Sequence, residues 1–254
     1  MYKIPANTLF MGGNLVFVPE CHSTNTLALQ LCQQSSTPEG TVVITNNQTA
    51  GRGQRGNSWE AQPGMNLTFS IILKPVFLDL KDQFYLNIII SLGIHDYLIT
   101  NKISNSHIKW PNDVMVGRKK LCGILIENQI QGSRFTNSVA GIGININQQN
   151  FNNDTATSLR IVTGTEHTLQ HELEQLLQKI EARYLQLRQN AYAKIKSDYL
   201  DTLYWKNELH EFTSNGENFS GVIIGIDEAG RLSVQRNDTQ EVKSFDLKEI
   251  SYLQ

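Results

Sequence analysis

A polar, glycine-rich segment at residues 46–64 lies between two apolar runs, and this arrangement limits most what the chain can fold into. Residues 41–45 (TVVIT) and 66–73 (NLTFSIIL) are rich in β-branched residues and predict buried strands. The segment between them shows no apolar period. A loop this long inside a compact domain is usually functional or mobile, so the chain predicts a sheet with a functional loop between two of its strands.

The remaining periodicity predicts helices and strands that alternate, followed by a short all-β region. Apolar residues at helical spacing predict helices over residues 24–35, 81–100, 169–188 and 191–204. Further strands are predicted over residues 14–18, 114–116, 121–129 and 135–146. From about residue 208 the pattern is short strands with turn pairs such as Asn215-Gly216. The predicted fold class is α+β, with a mixed-sheet domain over residues 1–206 and a small β-barrel over residues 207–254.

Composition excludes several classes of protein. The chain has 254 residues, 40% of them hydrophobic and 18% charged, which is typical of a globular protein and not of a disordered one. A net charge of −2 argues against a dedicated DNA or membrane partner. Three cysteines are too few for a disulfide framework, and no apolar window is long enough for a membrane span or a signal peptide. We therefore expect a cytoplasmic protein.

The loop at residues 51–59 (GRGQRGNSW) nearly matches a phosphate-binding P-loop but fails on two counts. Asn57 stands where the motif requires lysine, and the following Ala-Gln-Pro-Gly predicts a turn where the motif requires a helix. Its glycines and arginines would still allow the backbone to approach an anion closely, with charge to match. A flexible surface loop or an RNA contact remains an equally weighted interpretation of this spacing.

Two further polar clusters stand at predicted strand ends. Lys109-Trp-Pro-Asn-Asp113 contains a proline, which favours a strand end and therefore places polar groups where a sheet opens. Its alternative is a packing corner with a polar turn. Lys120 directly precedes the apolar run 121–126, so it lies along a sheet or else at a charged hairpin tip. Ser23-Thr24-Asn25 follows a strand and precedes a helix, which favours a helix N-cap and is compatible with ligand contacts.

Three other patterns point to chemistry only weakly. His167 and His171 are four residues apart, but the HExxH pattern of zinc proteases is absent. Residues 141–145 (GIGIN) lack the third glycine of a dinucleotide fingerprint. Cys122 has no histidine near it in sequence, which favours a small buried residue over a nucleophile.

Taken together, these blocks resemble biotin–protein ligases. Ser23-Thr24-Asn25, Gln48, the 51–59 loop, Lys109–Asp113, Lys120-Leu-x-Gly123-Ile-Leu and residues 141–147 occur in the order and approximate spacing of that family. The resemblance covers essentially the whole chain. It implies a catalytic domain like that of class II synthetases, with a mixed sheet, and a C-terminal SH3-like β-barrel.

The resemblance also implies a reaction. Members of the family make biotinyl-5′-AMP from biotin and ATP with Mg²⁺, and then transfer biotin to one lysine of a biotin carboxyl carrier protein of a carboxylase. Biotin and ATP are substrates, and no tightly bound prosthetic group is expected. Only 22 residues precede Ser23, so we expect a single-function ligase without an N-terminal DNA-binding domain. Whether the chain forms a homodimer is left open.

Residue roles follow from the same resemblance, motif by motif. Asn112 and Asp113 match residues near the phosphates and Mg²⁺. Gln54 departs from the family pattern, which has arginine there, and Arg55 or Arg52 is expected to supply that charge. The implied roles are catalytic for Lys120, Arg52 and Asp113, biotin-binding for Ser23, Thr24, Asn25, Gln48, Gly51, Arg52, Lys120 and Gly123, and nucleotide-binding for Arg55, Trp59, Lys109, Asn112 and Asn145.

Two other functions remain to be distinguished. A lipoate or octanoate transferase shares the catalytic fold, but the Lys109–Asp113 and 51–59 motifs argue against it. A biotin-binding regulator without catalysis is the other, and the presence of Lys120, Asp113 and Arg52 argues against that.

Overall fold

The computed structural model describes residues 2–5, 7–34, 36–152 and 154–253, with the side chain of Arg55 outside that description. Seven strands form the first sheet, in the order β1-β2-β3-β7-β6-β5-β4. Only β1 and β2 pair in parallel, so the sheet is mixed, as predicted. Its strands are β1 (Leu15–Cys21), β2 (Val42–Gln48), β3 (Leu67–Leu73), β4 (Ser106–Lys109), β5 (Asp113–Val116), β6 (Lys119–Gln131) and β7 (Arg134–Ile144).

Helices cover both faces of this sheet. The elements are α1 (Thr24–Leu31), α2 (Phe84–Thr100), α3 (Leu159–Thr163), α4 (Leu169–Arg188) and α5 (Tyr192–Asp201). On one face α1 buries Ala28 against Val43, Ile72 and Val139. In the other layer α2 and α4 cross at Gly93, where a Cβ atom would lie 2.7 Å from the Cα of Ile180. This close crossing explains why glycine is needed inside an otherwise apolar helix. No helix of the described ranges is long and apolar enough to cross a bilayer.

The C-terminal region forms a separate antiparallel sheet, which confirms the predicted small β domain of SH3-like type. Phe212, Phe219, Val234 and Phe245 form its interior. The predicted turn at Asn215-Gly216 joins its first two strands, and both residues have positive φ, as a tight hairpin turn requires. The strands are β8 (Leu209–Ser214), β9 (Glu217–Ile226), β10 (Leu232–Arg236), β11 (Val242–Phe245) and β12 (Ser251–Tyr252), in the order β11-β10-β9-β8-β12.

The two sheets are joined by a shared apolar cluster that runs from Leu203 and Trp205 into Phe212. The indole Nε1 of Trp110, which lies between β4 and β5, donates to the carbonyl oxygen of Gly230 at 2.9 Å. The C-terminal sheet is thus anchored next to the 109–113 motif. The domain boundary between residues 206 and 207 stays a prediction.

Element type is largely as predicted, and the differences are at the ends. The first helix stops at Leu31, where a helix to residue 35 was predicted, and the last helix stops at Asp201 instead of residue 204. The sequence placed a strand end at the 109–113 motif without giving bounds for that strand, and Ser106–Lys109 forms it as β4, at the edge of the sheet. Four-residue strands carry too little periodicity to be recognised locally.

Candidate active site

A cavity of about 450 Å³ opens where the first sheet meets the C-terminal sheet. Residues from all the motifs at predicted strand ends line it, together with the segment that leads into β12. Of the predicted site residues, those that line the cavity are Ser23, Thr24, Asn25, Gln48, Arg52, Trp59, Lys109, Asn112, Asp113, Lys120 and Gly123.

Three of the predicted site residues, Arg55, Gly51 and Asn145, are not among the described residues that line the cavity. The side chain of Arg55 lies outside the described part of the chain. Gly51 has a backbone role, because a Cβ atom there would lie 2.4 Å from the carbonyl oxygen of Trp59. Asn145 is buried, and its Nδ2 donates to the carbonyl oxygen of Thr157 at 3.0 Å. Since Thr157 donates its amide to the Lys120 carbonyl oxygen, Asn145 supports the strand that carries Lys120.

One end of the cavity, the amide end, is formed by Ser23, Thr24, Asn25 and Gln48 around the first turn of α1. Ser23 stands at the N-cap position with extended backbone, as predicted, but its side chain makes no capping hydrogen bond. The cap is supplied from β2 instead: Gln48 Oε1 accepts from the Thr24 amide at 2.8 Å and from the Thr24 hydroxyl at 3.1 Å. Ser23, Thr24 and Gln48 are therefore held together at one end of the cavity. The backbone N–H of Thr24, at the start of α1, already has its hydrogen-bond partner in Gln48.

Two side chains that the sequence reasoning missed hold Asn25 in place. Ser70, in the middle of β3, brings its hydroxyl within 2.6 Å of Asn25 Oδ1 and 2.8 Å of Thr24 Oγ1. Glu127 on β6 accepts from Asn25 Nδ2 at 2.7 Å. The available signal was a serine hydroxyl in the middle of the apolar run 67–73 and a carboxylate directly after the apolar run 121–126.

The 51–59 loop crosses the cavity mouth and is fastened at Glu127. Arg52 Nη2 lies 2.8 Å from Glu127 Oε2, the oxygen that also receives the Asn25 amide. Within the loop, Gly53 donates to the Asn57 carbonyl oxygen at 2.6 Å, and Trp59 donates to that of Gly51 at 3.0 Å. The ion pair is partly exposed, so solvent screening leaves it weak.

Glycines on β6 and β7 make room for the ring of Trp59. Gly123 and Gly143 are opposite each other across the two strands. A Cβ atom at Gly143 would lie 2.3 Å from Trp59 Cε2, and one at Gly123 would lie 3.3 Å from Trp59 Cζ3. The 141–145 glycines, which fail as a dinucleotide fingerprint, thus serve close side-chain approach. Trp59 Nε1 is buried without a hydrogen-bond partner among the described residues.

We predict that residues 51–58 gain protection from hydrogen exchange when biotin or the adenylate binds, with Trp59 as the fixed end of the loop. Few hydrogen bonds join the described residues of the loop to the rest of the protein, among them those of Arg52 to Glu127 and Thr26, and most of these residues are exposed or half-buried. Hydrogen exchange measured by mass spectrometry, with the distant 215–216 turn as internal control, tests this. Equal protection of residues 51–58 with and without ligand would contradict it.

The charged end of the cavity holds Lys120 and Asp113, which face each other from neighbouring strands. Lys120 Nζ lies 2.7 Å from Asp113 Oδ1. A Cβ atom at Gly123 would come within 3.2 Å of Lys120 Nζ, so this glycine leaves space for the lysine to lie along the sheet. Its neighbour Lys119 is exposed and does not line the cavity, since successive side chains of a strand point to opposite faces.

Lys109 also lines the cavity. Burial lowers its pKa, and the nearby charge of Lys120 lowers it further, whereas Asp113 opposes both effects. Its Nζ lies 4.5 Å from the ring centroid of Tyr252 on β12. Neighbouring Asn112 donates from Nδ2 to the Ile124 carbonyl oxygen at 2.6 Å, so its oxygen is the atom left to act as a ligand.

The other chemically suggestive residues have structural partners. His167 Nδ1 lies 3.0 Å from Glu172 Oε1, and His171 Nε2 lies 2.6 Å from the side chain of Gln175. Burial raises the pKa of the Cys122 thiol, which disfavours the nucleophilic thiolate. Within the described ranges no three His, Cys, Asp or Glu side chains are grouped to hold a metal ion.

Comparison with known proteins agrees with this geometry. Residues 18–145 match the profile of the "Biotin/lipoate A/B protein ligase family". The bifunctional ligase/repressor BirA of Bacillus subtilis is 30% identical over 254 residues, which cover 95% of this chain and 75% of that protein. The biotin–[acetyl-CoA-carboxylase] ligase of Mycobacterium tuberculosis is 30% identical over 85% of this chain and 80% of its own length. A structure of biotin protein ligase from Aquifex aeolicus in complex with biotin and ATP has a TM-score of 0.76, with 25% identity over 94% of this chain and 98% of that one.

Proposed function

Because the chain belongs to the biotin/lipoate A/B protein ligase family, we propose that it is an ATP-dependent biotin–protein ligase. It activates biotin as biotinyl-5′-AMP and transfers biotin to a lysine of a carboxyl carrier protein. One observation carries this conclusion. The polar side chains of the amide end, around Thr24 and Gln48, and the charged side chains of Lys120 and Asp113 line the same cavity.

The amide end suits the ureido ring of biotin. A ureido group has two N–H donors and one carbonyl acceptor, and each needs a partner once it is buried. Ser23, Thr24, Asn25 and Gln48 offer hydroxyl and amide groups of both kinds at this end of the cavity. The backbone at Gly51 brings the loop close to them.

At the charged end the first step joins two anions. A carboxylate oxygen of biotin attacks the α-phosphorus of ATP, a new O–P bond forms, and the bond to the β-phosphate oxygen breaks to release pyrophosphate. Lys120 is placed to neutralise the charge that develops between the carboxylate and the α-phosphate, and Arg52 closes the mouth from above. Lys109, Asn112 and Trp59 line the same cavity, and in this proposal the first two would face the phosphates and the indole of Trp59 would face the adenylate. Shielding of the mixed anhydride from water would fall to the 51–59 loop.

In this proposal Mg²⁺ is the metal ion that accompanies the co-substrate ATP. Mg²⁺ in nucleotide sites is usually held by one or two protein oxygens together with phosphates and water. Asp113 and the side-chain oxygen of Asn112 supply that number at the cavity wall, so the residues fit. The ion would be held by these two residues and would neutralise phosphate charge.

In the second step the carrier supplies the nucleophile. Its lysine amine attacks the acyl carbon, the bond to the phosphate oxygen breaks, AMP leaves, and the amine loses a proton. Asp113 and a phosphate oxygen of the adenylate are both placed to take that proton. This division explains why no Ser-His-Asp or Cys-His group is needed in the cavity.

An activity assay tests the function and separates it from the alternatives. Biotin, ATP, Mg²⁺ and a carrier domain should yield AMP, pyrophosphate and a carrier that is heavier by one biotinyl group. Lipoate or octanoate in place of biotin separates the transferase of the same family. Biotin binding without pyrophosphate release would instead indicate a regulator and overturn the proposal.

We further propose that the protein acts in the cytoplasm, where its three free thiols suit the reducing environment. A homodimer stays an open prediction.

For Gln54→Arg, we predict that the release rate of biotinyl-AMP stays nearly unchanged. Arg52, in the same loop and at the same cavity, already supplies a guanidinium there. The off-rate of preformed radiolabelled adenylate from wild type and Gln54→Arg measures this. A large slowing by the new arginine would show instead that pairing with Glu127 withdraws Arg52 from the ligand.

A further inference from the structure

Of the three lysines that line the cavity, Lys120 and Lys109 are in different electrostatic situations. Lys120 is paired with Asp113 at 2.7 Å. Lys109 has no carboxylate within 4.0 Å among the described residues, although burial already disfavours its charge. Its described contact is the ring of Tyr252, 4.5 Å below the ammonium. Lys109 is therefore a cation with aromatic support. Asp113 favours its charge from a distance, but the direct ion pair of that carboxylate is with Lys120.

We propose that Tyr252 is a positioning residue that holds Lys109 over its ring as a receptor for the phosphates of ATP. A cation–π contact compensates a desolvated ammonium without neutralising it, so the charge stays available to an incoming anion. An acidic partner in the same place would compete with the phosphates. This inference deepens the proposed function and rests on it.

The position of Tyr252 in the fold makes this contact a bridge between the two sheets. Tyr252 lies on β12, at the edge of the C-terminal sheet, and pairs in register with Phe212 of β8. Its ring also packs against Trp205 at 5.5 Å and Phe212 at 5.6 Å. These two aromatic contacts fix the ring, which in turn restricts where the flexible Lys109 stem can place its ammonium. The C-terminal sheet thereby contributes to the nucleotide end of the cavity.

The ring, and not the hydroxyl, is the part that matters. The Tyr252 hydroxyl is buried with no hydrogen-bond partner among the described residues, so its removal sacrifices no observed contact. Tyr252→Phe keeps the aromatic face. Tyr252→Leu removes the aromatic face but keeps an apolar side chain. The two variants therefore separate a cation–π contact from simple apolar packing.

The test is the affinity for ATP, measured by calorimetry with a non-hydrolysable ATP analogue and as KM in the pyrophosphate-release assay. Tyr252→Leu should lower the affinity for ATP by roughly 3- to 30-fold, which is the range of a partly desolvated cation–π contact. The affinity for biotin should change less. Tyr252→Phe should restore most of that loss. Phe219→Leu is the matched control, because Phe219 supports Arg236 in the same sheet at 4.7 Å and does not line the cavity. It should leave ATP affinity unchanged.

A double-mutant cycle with Lys109→Met decides whether Tyr252 acts through Lys109. In the Lys109→Met background Tyr252→Leu should add little, since the cation it supports is gone. An equal loss in both backgrounds, a failure of Tyr252→Phe to restore affinity, or an equal loss of biotin affinity would each overturn the proposal. If wild type binds the ATP analogue but makes no biotinyl-AMP, the proposed function fails while the binding cycle still decides the role of Tyr252.

Discussion

Replacement of Lys120 by alanine is expected to slow biotin adenylation by about 30- to 1,000-fold. In the proposed reaction its ammonium faces the point where a carboxylate and an α-phosphate meet, and loss of such a charge-assisted contact is worth roughly 2–4 kcal/mol in the transition state. The effect on biotin affinity should be smaller, because the two anionic oxygens come together only during the reaction. Single-turnover pyrophosphate release, with biotin binding measured separately, gives both numbers.

Lys119→Ala is the matched control for this prediction. The two lysines are neighbours on β6, but Lys119 is exposed and lies outside the cavity. Its variant should behave almost like wild type. Equal defects in the two variants, or the larger one at Lys119, would mean that the wrong lysine has been assigned to the reaction.

The second large effect is expected at Gly141, where the alanine variant should raise KM for biotin by about 5- to 150-fold. A Cβ atom there would lie 2.3 Å from Asn25 Oδ1 and 2.9 Å from its Cγ. Asn25 cannot give way easily, because Glu127, Leu125 and Ser70 hold its amide group. Overpacking of this kind costs about 1–3 kcal/mol, and here the displaced side chain belongs to the biotin end.

Asn25→Ala supplies the control, since it removes the atoms with which the new methyl group would collide. The Gly141→Ala/Asn25→Ala double variant should therefore bind biotin no worse than Asn25→Ala alone. Thermal melting of each variant separates loss of the site from loss of the fold. If the losses of biotin affinity in the two single variants multiply in the double variant, Gly141 matters for a reason other than space for Asn25.

The glycines illustrate how far sequence reasoning reaches. The composition of the 51–59 loop and its place between two apolar strands predicted a functional or mobile loop, with a flexible surface loop as an equally weighted interpretation, and its residues do line the cavity. The glycines at 141 and 143 failed as a dinucleotide motif and entered only as part of the family resemblance, without a role of their own. Their purpose depends on Asn25 and Trp59, which arrive from other parts of the chain, and no local pattern encodes such a meeting.

The same division holds for the polar network. Ser23, Thr24 and Asn25 were expected at a helix start, because strand-to-helix transitions favour those residue types. That Gln48 caps the helix in place of Ser23, and that Ser70 and Glu127 fix Asn25, follows from the order of strands in the sheet. Each of these contacts joins different strands or helices, so periodicity along the chain carries no information about them.

What the sequence determined by itself is the set of helices and strands, the two-part division of the chain and the motif residues that gather at the cavity. These depend on local periodicity, turn chemistry and side-chain type, all of which are readable within short windows. The tertiary structure decided which charges are paired. Lys120 meets Asp113 across neighbouring strands, whereas Lys109 meets Tyr252, near the far end of the chain. A lysine has the same stem and the same charge in both places, and only the docking of the two sheets determines whether a carboxylate or an aromatic ring lies beneath it.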